Sequence, residues 1–193
     1  MQGASRAHAN ATSSEREDRL RRSSVGRSRG HAGLRFNSQI DLRITREQPE
    51  STLAVALLDR YYRELDARFP DGFDRARGSA APPAELAAPR GLLLLAWHGE
   101  HAVGCGAVRR LDTDTAEIKR MWVDPGARGL GVGRSLLAAL EAGAVELGCR
   151  AVRLDTAASL TEALALYRGA GYVEISAYNE NPYAAHWLEK RLS

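Results

Sequence analysis

The sequence is poor in cysteine, in long apolar runs and in metal-binding histidine spacings, and each shortage argues against a class of protein. The chain of 193 residues has two cysteines, Cys105 and Cys149, both inside apolar segments, so neither a disulfide framework nor a cysteine-based zinc site is supported. Its five histidines show no metal-ligand spacing such as H-E-x-x-H. The longest apolar run, Leu92–Trp97, is far shorter than a membrane span. We therefore expect a protein without a metal or a membrane anchor, in a reducing cytoplasm.

Lysine is also scarce, and the basic charge is concentrated at one end of the chain. Residues 1–36 carry eight arginines and three acidic residues, a net charge of +5, whereas residues 37–193 have a net charge of −2. The first segment has too few apolar residues to form a core, so we predict a disordered basic tail over residues 1–37 and one folded domain over residues 38–193. A nucleic-acid-binding arm is the alternative. It is disfavoured because no aromatic residue precedes Phe36, and nucleic-acid modules usually interleave aromatic residues with charge.

Hydrophobic periodicity predicts a mixed domain of strands and helices. The pattern predicts a strand at 40–44, a helix over about 50–68, strands at 92–97, 102–109 and 116–123, a helix over 131–147, a strand at 151–154, a helix over 160–169, and strands at 172–175 and 186–192. Seven strands in this order indicate an α/β fold, a mixed, mostly antiparallel sheet with helices on both faces. Gly148 is predicted as a left-handed residue after its helix, and Ser159 with Glu162 as a capping box. Residues 70–90 form a long connection, which is predicted to include a short helix around residues 84–88.

A glycine-rich turn follows the strand that ends at Val123. It carries three alternating glycines between Arg128 and Arg134. Glycine lets the backbone approach a ligand closely, and the N-terminus of a helix attracts anions, so we expect a phosphorylated ligand here. The spacing fits neither a Walker A loop, which ends in Gly-Lys-Ser/Thr, nor a G-x-G-x-x-G fingerprint. A turn that only tightens the connection between strand and helix is the alternative.

Two ordered motifs resemble those of the GNAT superfamily of N-acetyltransferases. The acetyl-CoA loop of that family reads Arg/Gln-x-x-Gly-x-Gly/Ala, and Arg128, Gly131 and Gly133 match it. A second signature, Leu-Tyr followed shortly by Gly-Phe/Tyr, is matched by Leu166-Tyr167 and Gly171-Tyr172. The resemblance covers nearly the whole predicted domain, because the order of strands and helices also agrees. It implies the GNAT fold, with a V-shaped splay between strands 4 and 5, and acetyl-CoA as the co-substrate.

The resemblance also implies how acetyl-CoA lies. Its pantetheine arm is expected to run as an extra strand beside Met121 to Val123, where a backbone N–H also meets the oxyanion, and its pyrophosphate is expected on the N–H groups of the glycine-rich turn. The implied binding residues are Met121, Trp122, Val123, Arg128, Gly129, Leu130, Gly131, Val132, Gly133, Arg134 and Ser135. Many members place an Asn near the start of the next helix to touch pantetheine. This chain departs from that pattern, because the position is Leu160.

Acetylation of an amine needs one group to accept a proton from the amine and another to return a proton to the leaving thiolate. Glu117 is the candidate base, because in certain histone acetyltransferases of the superfamily the catalytic Glu precedes the loop's Arg or Gln by eleven residues, the separation between Glu117 and Arg128. A pairing of Glu117 with Lys119 or Arg120, or a solvent-facing position, is the alternative. Tyr167 is the candidate acid, because a phenol with a pKa of about 10 keeps its proton at neutral pH. A core tyrosine is the alternative there.

The sequence therefore predicts an N-acetyltransferase that moves an acetyl group from acetyl-CoA to a primary amine by direct attack. A non-catalytic acyl-CoA-binding or sensor module of the same fold is the alternative. The acceptor is a small-molecule or peptide amine, bound by the first helix, the connection over 70–90 and the hairpin before His186. Neither a membrane nor a nucleic acid is an expected partner, and a homodimer stays open. Cys105 is expected as a core residue rather than a nucleophile.

Overall fold

Strands and helices alternate along the part of the chain described by a computed structural model, residues 41–78 and 81–193. The strands are β1 (Leu42–Glu47), β2 (Gly91–His98), β3 (His101–Arg110), β4 (Thr115–Val123), β5 (Ala151–Thr156), β6 (Val173–Glu174) and β7 (His186–Arg191). The α-helices are α1 (Thr52–Arg68), α2 (Val132–Glu146) and α3 (Thr161–Gly169), and 3-10 turns lie at Pro83–Glu85 and Pro125–Ala127. Within these described ranges seven strands form one sheet, in the order β1-β2-β3-β4-β5-β7-β6. The predicted mixed seven-stranded sheet is confirmed.

Helices cover both faces of the sheet, as the run of leucines in β2 requires. Leu94 packs in the cluster that contains Leu136 and Leu140 of α2, whereas its neighbour Leu95 packs with Leu57 of α1. Successive side chains of a strand point to opposite faces, so α1 and α2 lie on opposite faces. All of these leucines are buried, and each contributes about 1.5–3 kcal/mol to stability by leaving water.

Two glycines bring α2 close to the sheet. A Cβ added at Gly143 of α2 would lie 2.8 Å from Leu92 Cδ1, and one added at Gly106 of β3 would lie 2.7 Å from Leu140 Cδ1 of α2. Neither position has room for a side chain. The close contact fixes α2 against β2 and β3, and thereby fixes where its first turn meets the end of β4.

The sheet opens between β4 and β5. These two strands are parallel and pair only over Thr115–Glu117 and Ala151–Arg153, whereas every other neighbouring pair is antiparallel. Beyond Glu117, β4 continues to Val123 and β5 to Thr156 without pairing with each other. The strands therefore separate into the V-shaped splay that the family resemblance implies.

A bulge distorts β4 where this splay begins. Cys105 of β3 faces Trp122 of β4, and Ala107 faces Lys119. The single residue between Cys105 and Ala107 therefore stands opposite two residues of β4, Arg120 and Met121. One of these two, Arg120, has a φ of 55°, which is uncommon for a residue other than glycine. Bulges of this kind re-aim side chains and occur near active sites, and this one changes the alternation of β4 beside the splay.

The predicted elements are found within one to three residues of their expected ends, and two details differ. Gly148 is left-handed, as predicted, with a φ of 83°. The capping box is wrong: Leu160 is the N-cap of α3 without a side-chain hydrogen bond, and the carboxylate of Glu162 instead accepts a hydrogen bond from Arg68, 2.8 Å from Nη2. The short helix expected over residues 84–88 is a 3-10 turn at Pro83–Glu85.

The predicted basic tail over residues 1–37 lies outside the described residues, and the boundary at residue 38 stays a prediction. None of the helices within residues 41–78 and 81–193 has the length and apolar character that crossing a bilayer requires. In the same ranges, no three His, Cys, Asp or Glu side chains come together in a way suited to a metal ion.

Candidate active site

A cavity of about 530 Å³ lies beside the unpaired half of β4. We call it the first cavity. Eight of the eleven residues implied for acetyl-CoA line it: Met121, Trp122, Val123, Arg128, Gly129, Gly131, Gly133 and Arg134. The other three, Leu130, Val132 and Ser135, do not line it, and Val132 is buried in the core.

The glycine-rich turn presents bare backbone to the first cavity. Gly129 and Gly131 have φ values of 78° and 82°, a left-handed conformation that glycine adopts without the strain of a side chain. Gly131 is the N-cap of α2, with no side-chain cap, so the first N–H groups of a 15-residue helix keep no partner within the helix. A Cβ at Gly133 would lie 3.4 Å from Leu166 Cδ2 and 3.8 Å from Val123 Cγ2. This turn therefore exposes backbone N–H groups of the kind that anions bind at helix N-termini, and a larger residue at position 133 would fill the space beside them.

Charged side chains link α1 to the turn across the first cavity. Nη2 of Arg128 lies 2.6 Å from both oxygens of Glu64, which also accepts a hydrogen bond from Nε1 of Trp122 at 2.7 Å. Burial raises the pKa of Glu64, but the hydrogen bonds from Arg128 and Trp122 outweigh it, and the pKa lies below its ordinary value. Arg134, by contrast, makes no ion pair with any residue in the described ranges. Its guanidinium is therefore available to an anion.

A second cavity of about 270 Å³ adjoins the first. The residues common to both linings are Tyr61, Leu65, Met121, Leu160, Ala163 and Tyr167. The second cavity is also lined by α1, by Phe73, Arg75 and Gly78, and by Tyr183, so the three segments expected to surround an acceptor meet here. One carboxylate, that of Asp155 on β5, lines it. The two cavities therefore form one continuous site, with a different chemical character at each end.

Tyr167 lies where the two cavities meet. Its side chain is 6% exposed, its hydroxyl is 3.8 Å from the sulfur of Met121, and its ring centroid is 5.9 Å from that of Tyr172. Burial, with a smaller contribution from the charge of Asp155, raises the pKa of Tyr167 above its ordinary value. The phenol therefore stays protonated at neutral pH and can donate a proton to a group at the junction.

Glu117 lies beneath the second cavity without lining it. The side chain is 1% exposed, and its carboxylate accepts hydrogen bonds from Nε of Arg109 at 2.8 Å, Nζ of Lys119 at 3.1 Å and the hydroxyl of Tyr178 at 3.1 Å. Lys119 itself lines the second cavity. The expected pairing with Lys119 is thus present, together with an unexpected one to Arg109. The assignment of Glu117 as the base stays a prediction.

Comparison with known proteins places the chain in a family. The family model described as Acetyltransferase (GNAT) family matches residues 55–172, which include the glycine-rich turn and Tyr167. The chain belongs to the GNAT acetyltransferase family. An IAA acetyltransferase of Azospirillum brasilense is 33% identical over 154 residues, which cover 77% of this chain and 97% of that protein.

Solved structures show the same fold. A Klebsiella pneumoniae protein, provisionally named an acyl-CoA N-acyltransferase, is 31% identical, with a TM-score of 0.61 over 79% of this chain and 99% of its own. A GNAT family acetyltransferase of Elizabethkingia anophelis, solved with acetyl-CoA bound, is 19% identical, with a TM-score of 0.56 over 78% of this chain and 98% of its own. The GNAT fold is therefore shown for the described residues.

Three further residues of the site compare with the sequence prediction as follows: two agree with it, and one was missed. Leu160, where many members have Asn, adds an apolar wall to both cavities. Cys105 is fully buried, and burial raises the pKa of its thiol to about 12, so the expectation of an unreactive core cysteine agrees with its surroundings. Sequence reasoning missed Asp155, because it continues the ordinary alternation of β5, with Arg153 and Asp155 between the buried Val152 and Leu154 and the buried Thr156.

Proposed function

We propose that this GNAT protein transfers an acetyl group from acetyl-CoA to a primary amine by direct attack, with acetyl-CoA in the first cavity and the amine in the second. The observation that carries the proposal is the meeting of the two cavities at Tyr167, beside the gap between β4 and β5. One end offers an anion-binding turn and the other a carboxylate. A thioester and an amine that enter from the two ends meet at a proton donor.

The lining of the first cavity fits coenzyme A. The diphosphate would rest on the N–H groups at the start of α2, with the unpaired Arg134 beside it. Glu64 would repel phosphates, but Arg128 and Arg68 pair with its carboxylate. The pantetheine arm would lie along the unpaired backbone of β4 from Met121 to Val123. Acetyl-CoA supplies the acetyl group as a thioester when it is bound.

Proton transfers decide the roles of the side chains. An acceptor with a pKa near 10 arrives as an ammonium ion, so it first gives one proton to a base. As its nitrogen forms the C–N bond, the C–S bond breaks, the nitrogen releases its second proton to solvent, and Tyr167 gives its proton to the sulfur. Solvent then reprotonates Tyr167, and one proton is released per turnover. General acid catalysis of this kind typically contributes about 10²–10⁴-fold to a rate.

The non-catalytic acyl-CoA-binding module is the second candidate, because Leu160 stands where the family often has a polar contact to pantetheine. An apolar residue there removes one hydrogen bond to the arm. Retention of a buried tyrosine at the junction favours turnover instead. The compartment we propose is the cytoplasm, which agrees with two buried free thiols, Cys105 and Cys149.

Binding and turnover can be tested separately. Isothermal titration with acetyl-CoA is expected to give a Kd in the micromolar range, a common range for enzyme substrates. Release of free thiol, followed across a panel of amines, is expected to depend on the amine. Absence of acetyl-CoA binding would contradict the whole proposal. Binding without thiol release for any amine would instead favour the sensor module.

A further inference from the structure

The second cavity concentrates the aromatic residues of a chain that has few of them. Phe, Trp and Tyr number twelve in the whole sequence, and six of them line this one cavity. Tyr167 lies at the junction with the first cavity, and the other five are Tyr61, Tyr62, Phe69, Phe73 and Tyr183. Neighbouring rings are in contact, with centroid separations from 4.7 to 5.9 Å. These five rings form one continuous surface, which we call the aromatic wall. Such a wall binds a flat apolar group through stacked or edge-to-face contacts.

Asp155 supplies a negative charge to the same cavity. Its two oxygens accept hydrogen bonds from the side-chain amides of Asn179 and Asn181, each at 2.7 Å. The amide of Asn179 is oriented in turn by Nε1 of Trp187, which donates to its oxygen at 2.9 Å. Both donors to Asp155 are neutral, and it makes no ion pair with another residue of the described ranges. Neutral amides therefore hold this carboxylate in position at the wall of the cavity, which suits an ammonium group.

The cations around the cavity limit the charge of that ligand. Arg75 pairs with Asp59 at 2.9 Å, and its guanidinium already lies over the ring of Tyr62, 4.1 Å from the centroid. Lys119 pairs with Glu117, and Arg120, which also lines the cavity, donates a hydrogen bond to the backbone oxygen of Ala81 at 2.6 Å. A second positive charge on the ligand would meet these cations rather than a free carboxylate. A ligand with one ammonium group and an uncharged aromatic body fits better than a polyamine.

We propose that the acceptor is an arylalkylamine: its ammonium binds Asp155, which also takes the first proton, and its ring lies against the aromatic wall. This inference rests on the proposed function, since it names the substrate class of the same site. A short linker between ring and amine suffices, because Tyr61 belongs both to the aromatic wall and to the junction with the first cavity. The deprotonated nitrogen then attacks the thioester as described above, so the step needs no further reactant.

Acceptor kinetics with the full chain provide the first test. Tryptamine and phenethylamine are expected to give kcat/KM values at least about tenfold above those of spermidine and ethanolamine, which is the effect of about 1.4 kcal/mol of selective binding. Asp155→Asn is expected to raise the KM for tryptamine by tenfold or more and leave the Kd for acetyl-CoA within twofold. Glu180→Gln is the matched control, because it removes an exposed carboxylate from the loop that carries Asn179 and Asn181. Equal or better use of spermidine or ethanolamine, or an unchanged KM in Asp155→Asn, would overturn the proposal.

A binding measurement separates this inference from the proposed function. Calorimetry of tryptamine with the chain saturated with free coenzyme A needs no turnover, and micromolar to millimolar binding is expected. Phe73→Leu keeps an apolar side chain but removes a ring, and it is expected to weaken tryptamine binding at least threefold without changing ethanolamine binding. Tryptamine binding without acetyl transfer would contradict the proposed function alone. Acetyl transfer to aliphatic amines with no binding of tryptamine would contradict the arylalkylamine class alone.

Discussion

Tyr167 and Glu117 are both buried, but their surroundings differ in kind. The hydroxyl of Tyr167 has a thioether within reach and two cavities beside it, whereas Glu117 is enclosed by Arg109, Lys119 and a tyrosine hydroxyl. A group that transfers a proton to a ligand must reach that ligand. Burial next to a cavity and burial inside an ion-pair network therefore predict different results of mutation.

Tyr167→Phe is expected to lower kcat by about 10²-fold, because general acid catalysis contributes on that scale, and to change the Kd for acetyl-CoA by less than about twofold. Steady-state kinetics and calorimetry provide the two numbers. Tyr172→Phe is the matched control, because that ring lies 5.9 Å away and lines neither cavity. An unchanged kcat in Tyr167→Phe would rule out its role as the acid.

Glu117→Gln is expected to lower the free energy of unfolding by about 3 kcal/mol, since it removes a buried negative charge that pairs with both Arg109 and Lys119. Glu146→Gln, which breaks the exposed pair with Arg46, is expected to cost less than about 1 kcal/mol. Urea unfolding measures both. If Glu117 rather than Asp155 takes the first proton, the kcat of folded Glu117→Gln falls most for the most basic amines. A kcat equal to that of the wild type for every amine would leave Glu117 with a structural role only.

At the scale of elements, α2 connects packing to ligand binding. Gly143 of α2 and Gly106 of β3 allow the close packing that fixes the position of this helix. Gly133 leaves the first turn of the helix open toward the first cavity. Gly133 is therefore constrained by the ligand space, whereas Gly143 is constrained by the sheet. The two positions predict opposite kinds of defect, one in binding and one in folding.

Gly133→Leu is expected to weaken acetyl-CoA binding at least about tenfold, equivalent to about 1.4 kcal/mol, because its side chain would extend into the space beside Leu166 and Val123. Calorimetry measures the Kd, and thermal unfolding checks that the fold is kept. Ala138→Leu adds the same side chain on an exposed position of α2 and is expected to bind normally. Equal affinity of the two variants would show that the turn lies away from the ligand.

Local patterns predicted most of these elements, and contacts between distant residues account for the errors. Apolar spacing located the helices and the longer strands, because burial of apolar side chains decides them; both residues of the short strand β6 are exposed. The capping box failed because Arg68, 94 positions away, pairs with Glu162. The bulge at Arg120 has no sequence signature, since it depends on the register with β3. Such features arise only when the chain is folded.

At the scale of the whole molecule, the glycine-rich turn, the junction of the two cavities and the second cavity differ in how far they could be predicted. The turn is one continuous segment, and five of its eight implied residues line the first cavity. The aromatic wall is assembled from α1, Phe73 and Tyr183, and Asp155 comes from β5. No window of the sequence contains all of them, so their common role becomes visible only in three dimensions.

The ion pairs that join α1 to the rest of the molecule are expected to make stability depend on acidity. The pKa of Glu64 is lower in the folded chain than its ordinary value, so its contribution to stability is present above about pH 4.5 and is lost as the pH falls through the folded-state pKa. Urea unfolding is expected to give the wild type a higher free energy of unfolding than Glu64→Gln at pH 7. This difference is expected to shrink at pH 3. An advantage of the same size at both values would contradict this origin.

The gap between β4 and β5 has a thermodynamic consequence for the free chain. Backbone groups of β4 beyond Glu117 lack a strand partner on that side, and hydrogen bonds that a ligand supplies there exist only in the complex. By linkage, a ligand that binds only the native chain at 100 times its Kd adds about 2.7 kcal/mol to stability. The melting temperature is therefore expected to rise with the fraction of the chain that carries this ligand. The resistance of the chain to unfolding in cells would then depend on the local concentration of the ligand.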